Sequence, residues 1–235
     1  MTNAIAAPSL EPRALIELMR LASPALPVGG FSYSEGLEAA VDAGLACDTD
    51  SVRAWLADQM HLGLARCDLP VVALAFNAWG DSDVQRVQSL NDWVTCTRET
   101  HELLQQTQQM GRSLIQWLRH RAEVDGSIEA AAALAPAPTW PIAFALAASR
   151  SGAPLRASLI AFAVGWCDNM VAAAIKAVPL GQTAGQRLLD ALSPDIATLV
   201  DAAIVLPDTE RQAFTPMLAI QSARHETLYS RLFRS

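Results

Sequence analysis

The side chains in this sequence that could do chemistry are few and scattered. Histidines stand at positions 61, 101, 120 and 225, and cysteines at 47, 67, 96 and 167. His101-Glu102-Leu-Leu-Gln105 falls one residue short of the zinc-protease pattern, in which two histidines one helical turn apart grip the metal. Gln105 stands where the second histidine would be. His225-Glu226 fails in the same way, with Tyr229 at that offset. Three Cys-Asp pairs, at 47–48, 67–68 and 167–168, offer a thiolate beside a carboxylate, but no two pairs are close in the chain. Capping of helix starts is the simpler role for Asp48 and Asp68. The sequence therefore assigns no metal ligands and no cofactor.

Nucleotide and acyl chemistry are no better served. The phosphate-binding pattern GxxxxGK[ST] does not occur; Gly181-Gln-Thr-Ala-Gly185-Gln-Arg187 has the wrong spacing and no lysine, and reads as a turn between helices. Lys176 is the sole lysine of the chain, so any lysine-dependent chemistry would have to use it. Gly30-Phe-Ser-Tyr-Ser34 is not a Gly-x-Ser-x-Gly elbow, and Ser32 with Glu35 reads as a capping box instead. No nucleophile, base and orienting group can be assembled, so the chain is not expected to be an enzyme. One alternative stays open on the residues alone: a helical metal-dependent hydrolase whose ligands converge only in three dimensions.

The elements that would position these groups read as helices. Alanine and leucine dominate, strand-like alternation is scarce, and Pro and Gly cut the 235 residues into helix-length pieces. Helices are expected at 12–22, with Leu15, Leu18 and Met19 on one face, then after Ser32 and from about Asp50. Asp68 with Pro70 should start the next, and Gly80 close it. A helical pattern from 83 to about 123 divides near 95–100. Residues 130–141 read as a connector, followed by helices at 142–150, 154–178, 183–192 and 194–206. The expectation is an all-α fold: a single helical-bundle domain of roughly eight to ten helices over residues 1–216, with a C-terminal tail at 217–235.

Composition narrows the function classes. Hydrophobic residues make up 51% and charged residues 17%, too apolar for a disordered chain. The net charge of −7 disfavours a phosphate backbone as partner, so nucleic acid is not expected. From Arg211 onward, four arginines face one glutamate, a local +3 on an acidic body. MTNAIAAPSLEPR lacks a basic start and a sustained apolar run, so it does not read as a leader. The apolar stretch 155–178 carries Arg156, Asp168, Asn169 and Lys176 and reads as a buried helix, with no membrane role. The cysteines are expected to be reduced, in a cytoplasmic protein.

Three sets of residues carry a resemblance. LASPALPVGGFSYSEGLE spans 21–38; QQMGRSL at 108–114 precedes DNMVAAAIKAVPLGQTAGQRLL at 168–189; ARHETLYSRLFRS closes the chain at 223–235. Together they resemble the UreF family of urease accessory proteins. Near Trp140 the sequence departs from the family, whose members often carry histidine there, and 124–139 resembles nothing specific. The resemblance implies an all-helical, dimerising scaffold with three partners: a second scaffold protein (type D, also called type H), a nickel-handling GTPase (type G) and apo-urease. The assembly would act as a GTP-dependent chaperone for insertion of nickel into the urease metallocentre. Partner contacts are expected from Phe31, Tyr33 and Glu35 in the first block and from Lys176, Gln182 and Arg187 in the second. In the tail they are expected from Arg224, His225, Glu226, Tyr229, Arg231, Leu232 and Phe233. Leu228, Tyr229, Leu232 and Phe233 form two i, i+4 pairs that would share a helical face. The tail is expected to be mobile alone and ordered on the second scaffold protein.

Overall fold

The computed structural model describes residues 10–121 and 123–235. The first nine residues, and with them most of the stretch read as lacking a leader, lie outside the described residues. Among the described residues the regular structure is helical, without a strand. The α-helices are α1 (Pro12–Ala22), α2 (Leu37–Asp42), α3 (Thr49–Gly80), α4 (Val84–Thr97), α5 (His101–Arg121), α6 (Gly126–Ala132), α7 (Trp140–Ser149), α8 (Leu155–Ala177), α9 (Gln182–Val205) and α10 (Pro216–His225). The fold is the all-α bundle expected from the sequence.

Local chemistry starts these helices. Pro12, Pro141 and Pro216 each stand in a first turn, where a missing N–H has no intrahelical acceptor to disappoint. Asp48, Asp83 and Asp125 accept the first-turn amides of Ser51, Arg86 and Ser127 at 2.8, 2.9 and 3.0 Å.

Two expected breaks are not breaks. α3 runs straight through Asp68 and Pro70, with a π-helical stretch at Met60–Asp68. Asp68 caps nothing; its carboxylate binds Arg98 at 2.5 Å. Pro70 offers no N–H to the carbonyl of Arg66, and that carbonyl accepts the Gln212 N–H instead, at 3.2 Å. α9 likewise continues through Pro194, which is exposed, so that water can satisfy the carbonyl it leaves free. The connector at 130–141 begins inside α6, which buries Ile128 and Ala131.

α7 is the centre of the body. Every residue from Pro141 to Ala148 is buried, and α7 packs against α3 and α5 while α8 packs against α1 and α9. Phe144, Trp140 and Phe162 form an aromatic cluster, with ring centroids 4.9–6.0 Å apart. Full burial of a side chain such as Phe144, Leu114 or Leu159 contributes about 1.5–3 kcal/mol. α1 turns Ala14, Leu18 and Leu21 inward against α8, leaving Leu15 and Met19 exposed, so the expected stripe is split. α3 and α8 are long and apolar enough to cross a membrane by length and composition. Yet 61% and 56% of their most apolar windows are buried inside the body, the property of core helices.

Candidate functional site

The first family-like block forms a tight corner ahead of α2. Gly30–Ser32 is a single 3-10 turn, and Glu35 and Gly36 follow with left-handed backbones, at φ 49° and 74°. The second must be glycine for a further reason: a Cβ there would stand 3.2 Å from the backbone N of Ser222 on α10. The expected capping box does not form. The hydroxyl of Ser34, not Ser32, accepts the Glu38 N–H at 3.3 Å. The Glu35 carboxylate turns inward and accepts from Gln106 Nε2 at 2.7 Å and Trp166 Nε1 at 2.9 Å.

On this corner the chain end is fastened to its own body. His225, the last residue of α10, is fully buried, with Nδ1 2.6 Å from Glu102 and Nε2 3.0 Å from Glu38. Glu38 also accepts the N–H groups of Leu232 at 2.7 Å and Phe233 at 3.0 Å, and Glu102 accepts Arg231 Nη1 at 2.6 Å. The ring of His225 thus bridges the two carboxyl groups, one at each nitrogen. Two buried acids thus face the buried His225 and the partly exposed Arg231 side chain. The Ser34 hydroxyl and N–H both donate to the Ser235 carbonyl, at 2.5 and 2.8 Å, and the Arg234 N–H donates to the Ser32 carbonyl at 2.8 Å. Ser235 Oγ–H donates to Gln106 Oε1 at 2.7 Å.

The structure brings most of the residues singled out in the sequence to this one region. Phe31 is exposed, while Tyr33 points inward and belongs to the core. Lys176 Nζ lies 5.9 Å from the Phe31 ring and 5.8 Å from that of Phe233. Phe233 is buried, Leu232 and Tyr229 stand in solvent, and Arg224 is exposed at the end of α10. Glu226 Oε1 accepts the Glu102 N–H at 3.2 Å. Gln182 and Arg187 are exposed on the first turns of α9. The helical face expected over 228–233 does not exist, because α10 ends at His225 and the rest runs as turns and bends. The chain there trades helix bonds for backbone bonds to Glu38 and Ser32.

Sequence reasoning missed Ser34, Glu38, Glu102 and Gln106, which hold the tail. A signal existed for two of them. Glu102 sits in the failed zinc motif, and Glu38 is an acid in the apolar run of α2 that Leu37, Ala39 and Ala40 bury. The other reactive groups do not gather. Burial pushes the thiols of Cys67 and Cys167 up to about 12. His61 pairs with Asp195 at 3.1 Å on the surface.

The arrangement binds and orders the last residues of the chain. Comparisons with known proteins place the chain in a family. A model of the UreF family matches residues 46–193. The urease accessory protein UreF of Methylibium petroleiphilum is 62% identical over 222 residues, covering 94% of each chain. That of a Polaromonas species is 56% identical over 230 residues, covering 97% of this chain and 98% of the relative. That of Chromohalobacter salexigens is 42% identical over 225 residues, covering 96% of each. The corner at 29–36, the Lys176 region and the folded-back tail are thus carried on a chain that belongs to the UreF family of urease accessory proteins.

Proposed function

We propose that this protein is a non-catalytic cytoplasmic scaffold in a GTP-dependent chaperone complex that loads nickel, as cargo, into urease. It works as a homodimer with the type D (or H) scaffold protein, the type G GTPase and apo-urease. The tail, residues 217–235, is the unit that engages the second scaffold protein, and Arg231 shapes the surface that receives the GTPase. Lys176, Phe31, Gln182 and Arg187 extend that surface.

The observation that best supports this reading is the exposed edge beside the docked tail. Phe31 is 58% and Leu232 71% exposed, and the Tyr229 side chain is wholly free. Lys176 lies beside Phe31 and Arg224 is exposed at the end of α10, and aromatic and arginine side chains are common anchors of protein interfaces. The missing phosphate loop fits the same scheme, since the GTPase partner supplies nucleotide chemistry.

The test is capture from cells expressing the urease cluster, with and without GTP. The wild-type chain is expected to retain scaffold protein and GTPase. Tyr229→Ala combined with Leu232→Ala should melt within about 0.5 kcal/mol of wild type, because neither side chain is buried. It should nevertheless capture at least tenfold less partner and activate urease correspondingly less. Undiminished capture by the double variant would remove the tail edge from the interface. Calorimetry on the isolated chain is expected to show no GTP binding, and stoichiometric binding would overturn the scaffold assignment.

A further inference from the structure

Behind the corner at residues 29–36 lies a cavity of about 100 Å³, framed by α3, α5, α7 and α8. A single water needs roughly 10–15 Å³ by this measure, so the space holds several waters or a small ligand. Its walls are of two kinds. Trp140, Phe144 and Phe162 supply aromatic surface. Glu35, Gln59, Asp68 and Gln106 supply oxygen acceptors.

The charges on this lining do not balance. Arg98 is matched by Asp68, at 2.5 Å. Glu35 has hydrogen bonds from Gln106 and Trp166 but no ion-pair partner among the described residues. Burial pushes its carboxyl upward, the Trp166 hydrogen bond opposes that, the nearby Asp68 charge raises it further, and the Gln106 hydrogen bond and the Arg98 charge pull it down. One guanidinium is thus shared between Asp68, which it pairs directly, and Glu35, which leaves these two acids one positive charge short. Its backbone is held at φ 49°, a conformation uncommon for residues with a side chain.

A second observation is independent of charge. Gln59 is 7% exposed, lines the same cavity, and its Oε1 has no hydrogen-bond partner. A buried acceptor left empty is uncommon in a folded protein and signals a missing donor. The unpartnered donor on the lining, Arg98 Nε, belongs to a guanidinium whose charge Asp68 already meets. What the cavity lacks is therefore positive charge that carries N–H groups. Its aromatic walls favour the same kind of guest through cation–π attraction. A divalent metal fits poorly, because no three His, Cys, Asp or Glu side chains group together among the described residues.

We propose that this cavity is a binding site for a small N–H-bearing cation of the ammonium or primary alkylammonium class, held by the Glu35 carboxylate and the Gln59 amide oxygen. The cation supplies the charge that Glu35 lacks and the donor that Gln59 lacks. The site also reaches the tail, since Gln106 bonds Glu35 through its amide nitrogen and Ser235 through its amide oxygen.

The test is a thermal melt of the full chain in methylammonium chloride against sodium chloride at equal ionic strength. Tetramethylammonium, a cation without N–H groups, is the control. Methylammonium is expected to raise the melting temperature saturably, by about 3–5 °C at ten times its dissociation constant. Tetramethylammonium should match sodium. Glu35→Gln, which keeps the shape and removes the charge, should abolish the saturable rise, and Gln59→Leu should weaken it at least tenfold in concentration. Equal responses to all three salts would overturn the proposal, as would a Glu35→Gln protein that responds like wild type. The salt comparison on the wild-type chain decides the matter even where a variant does not fold.

Discussion

His225→Ala is expected to cost about 3–5 kcal/mol, the cost of stranding buried charges by removing their partner. The ring lies between two carboxylates, at 2.6 and 3.0 Å, and is wholly excluded from solvent. Without it, Glu38 and Glu102 face each other across a buried gap, and only the tail's own N–H groups and Arg231 remain to offset their charge. The chain has a way out, which is to release the segment after α10 and let water reach both acids. The loss is therefore capped by the free energy that docks the tail. Two measurements separate the outcomes. Urea unfolding reports the whole-body loss, and trypsin reports release, since Arg231 and Arg234 lie in the segment. A local loss of about 3 kcal/mol raises the open population, and with it the cleavage rate, roughly 100-fold. His225→Gln should recover part of the loss, because its amide can donate to one carboxylate. A His225→Ala protein that melts like wild type and resists trypsin would show that the histidine does not hold the tail.

The second large effect is expected at Gly111, in the middle of α5. A Cβ at this position would stand 2.0 Å from the carbonyl oxygen of Pro138 and 2.8 Å from two backbone carbons. The obstacle is backbone that cannot withdraw. Asn91 donates to the carbonyls of Pro136 and Ala137 at 2.8 and 3.3 Å and accepts the Thr139 N–H at 2.8 Å. The Trp140 N–H is tied to Thr107 Oγ1 at 3.1 Å. Helix propensity alone would favour alanine over glycine by about 1 kcal/mol. Overpacking against a pinned loop outweighs that gain, so Gly111→Ala should lose about 2–3 kcal/mol net. For a chain of this size the melting temperature should fall about 5–10 °C. Gly126→Ala is the control, since a Cβ there meets nothing within 4 Å. If Gly111→Ala melts at or above the wild-type temperature, the loop yields more easily than its hydrogen bonds imply.

Both sites sit in blocks that carried the family resemblance, yet their roles could not be read from those blocks. QQMGRSL contains Gly111, and nothing in its spacing says that a loop some 27 residues away will press its carbonyl against the helix. His225 and Glu226 read as a defective metal motif. The partners of His225 lie at 38 and 102, and no local pattern joins three residues so widely separated.

The sequence by itself determined the class of the fold, the family and many helix boundaries. α1 falls at Pro12–Ala22, and the division of 83–123 into two helices is as read. These are local properties. A proline, a capping aspartate or an apolar period acts within one or two turns, so it is written where it acts. What only the tertiary structure decided depends on a second, distant segment. Pro70 reads as a helix start, yet α3 passes through it because Gln212 supplies a donor to the carbonyl that the proline leaves empty. Glu35 reads as half of a capping box, yet Trp166 and Gln106 draw it into the core. Phe31 and Tyr33 look alike in sequence, but packing exposes one and buries the other. The tail carries the same residues whether it is free or docked. Its seat on the body exists because Ser34, Glu38 and Glu102, far upstream, present acceptors and a hydroxyl where residues 225–235 arrive. Hydrogen bonds and charge pairs act through space, and only the folded chain fixes which groups share it.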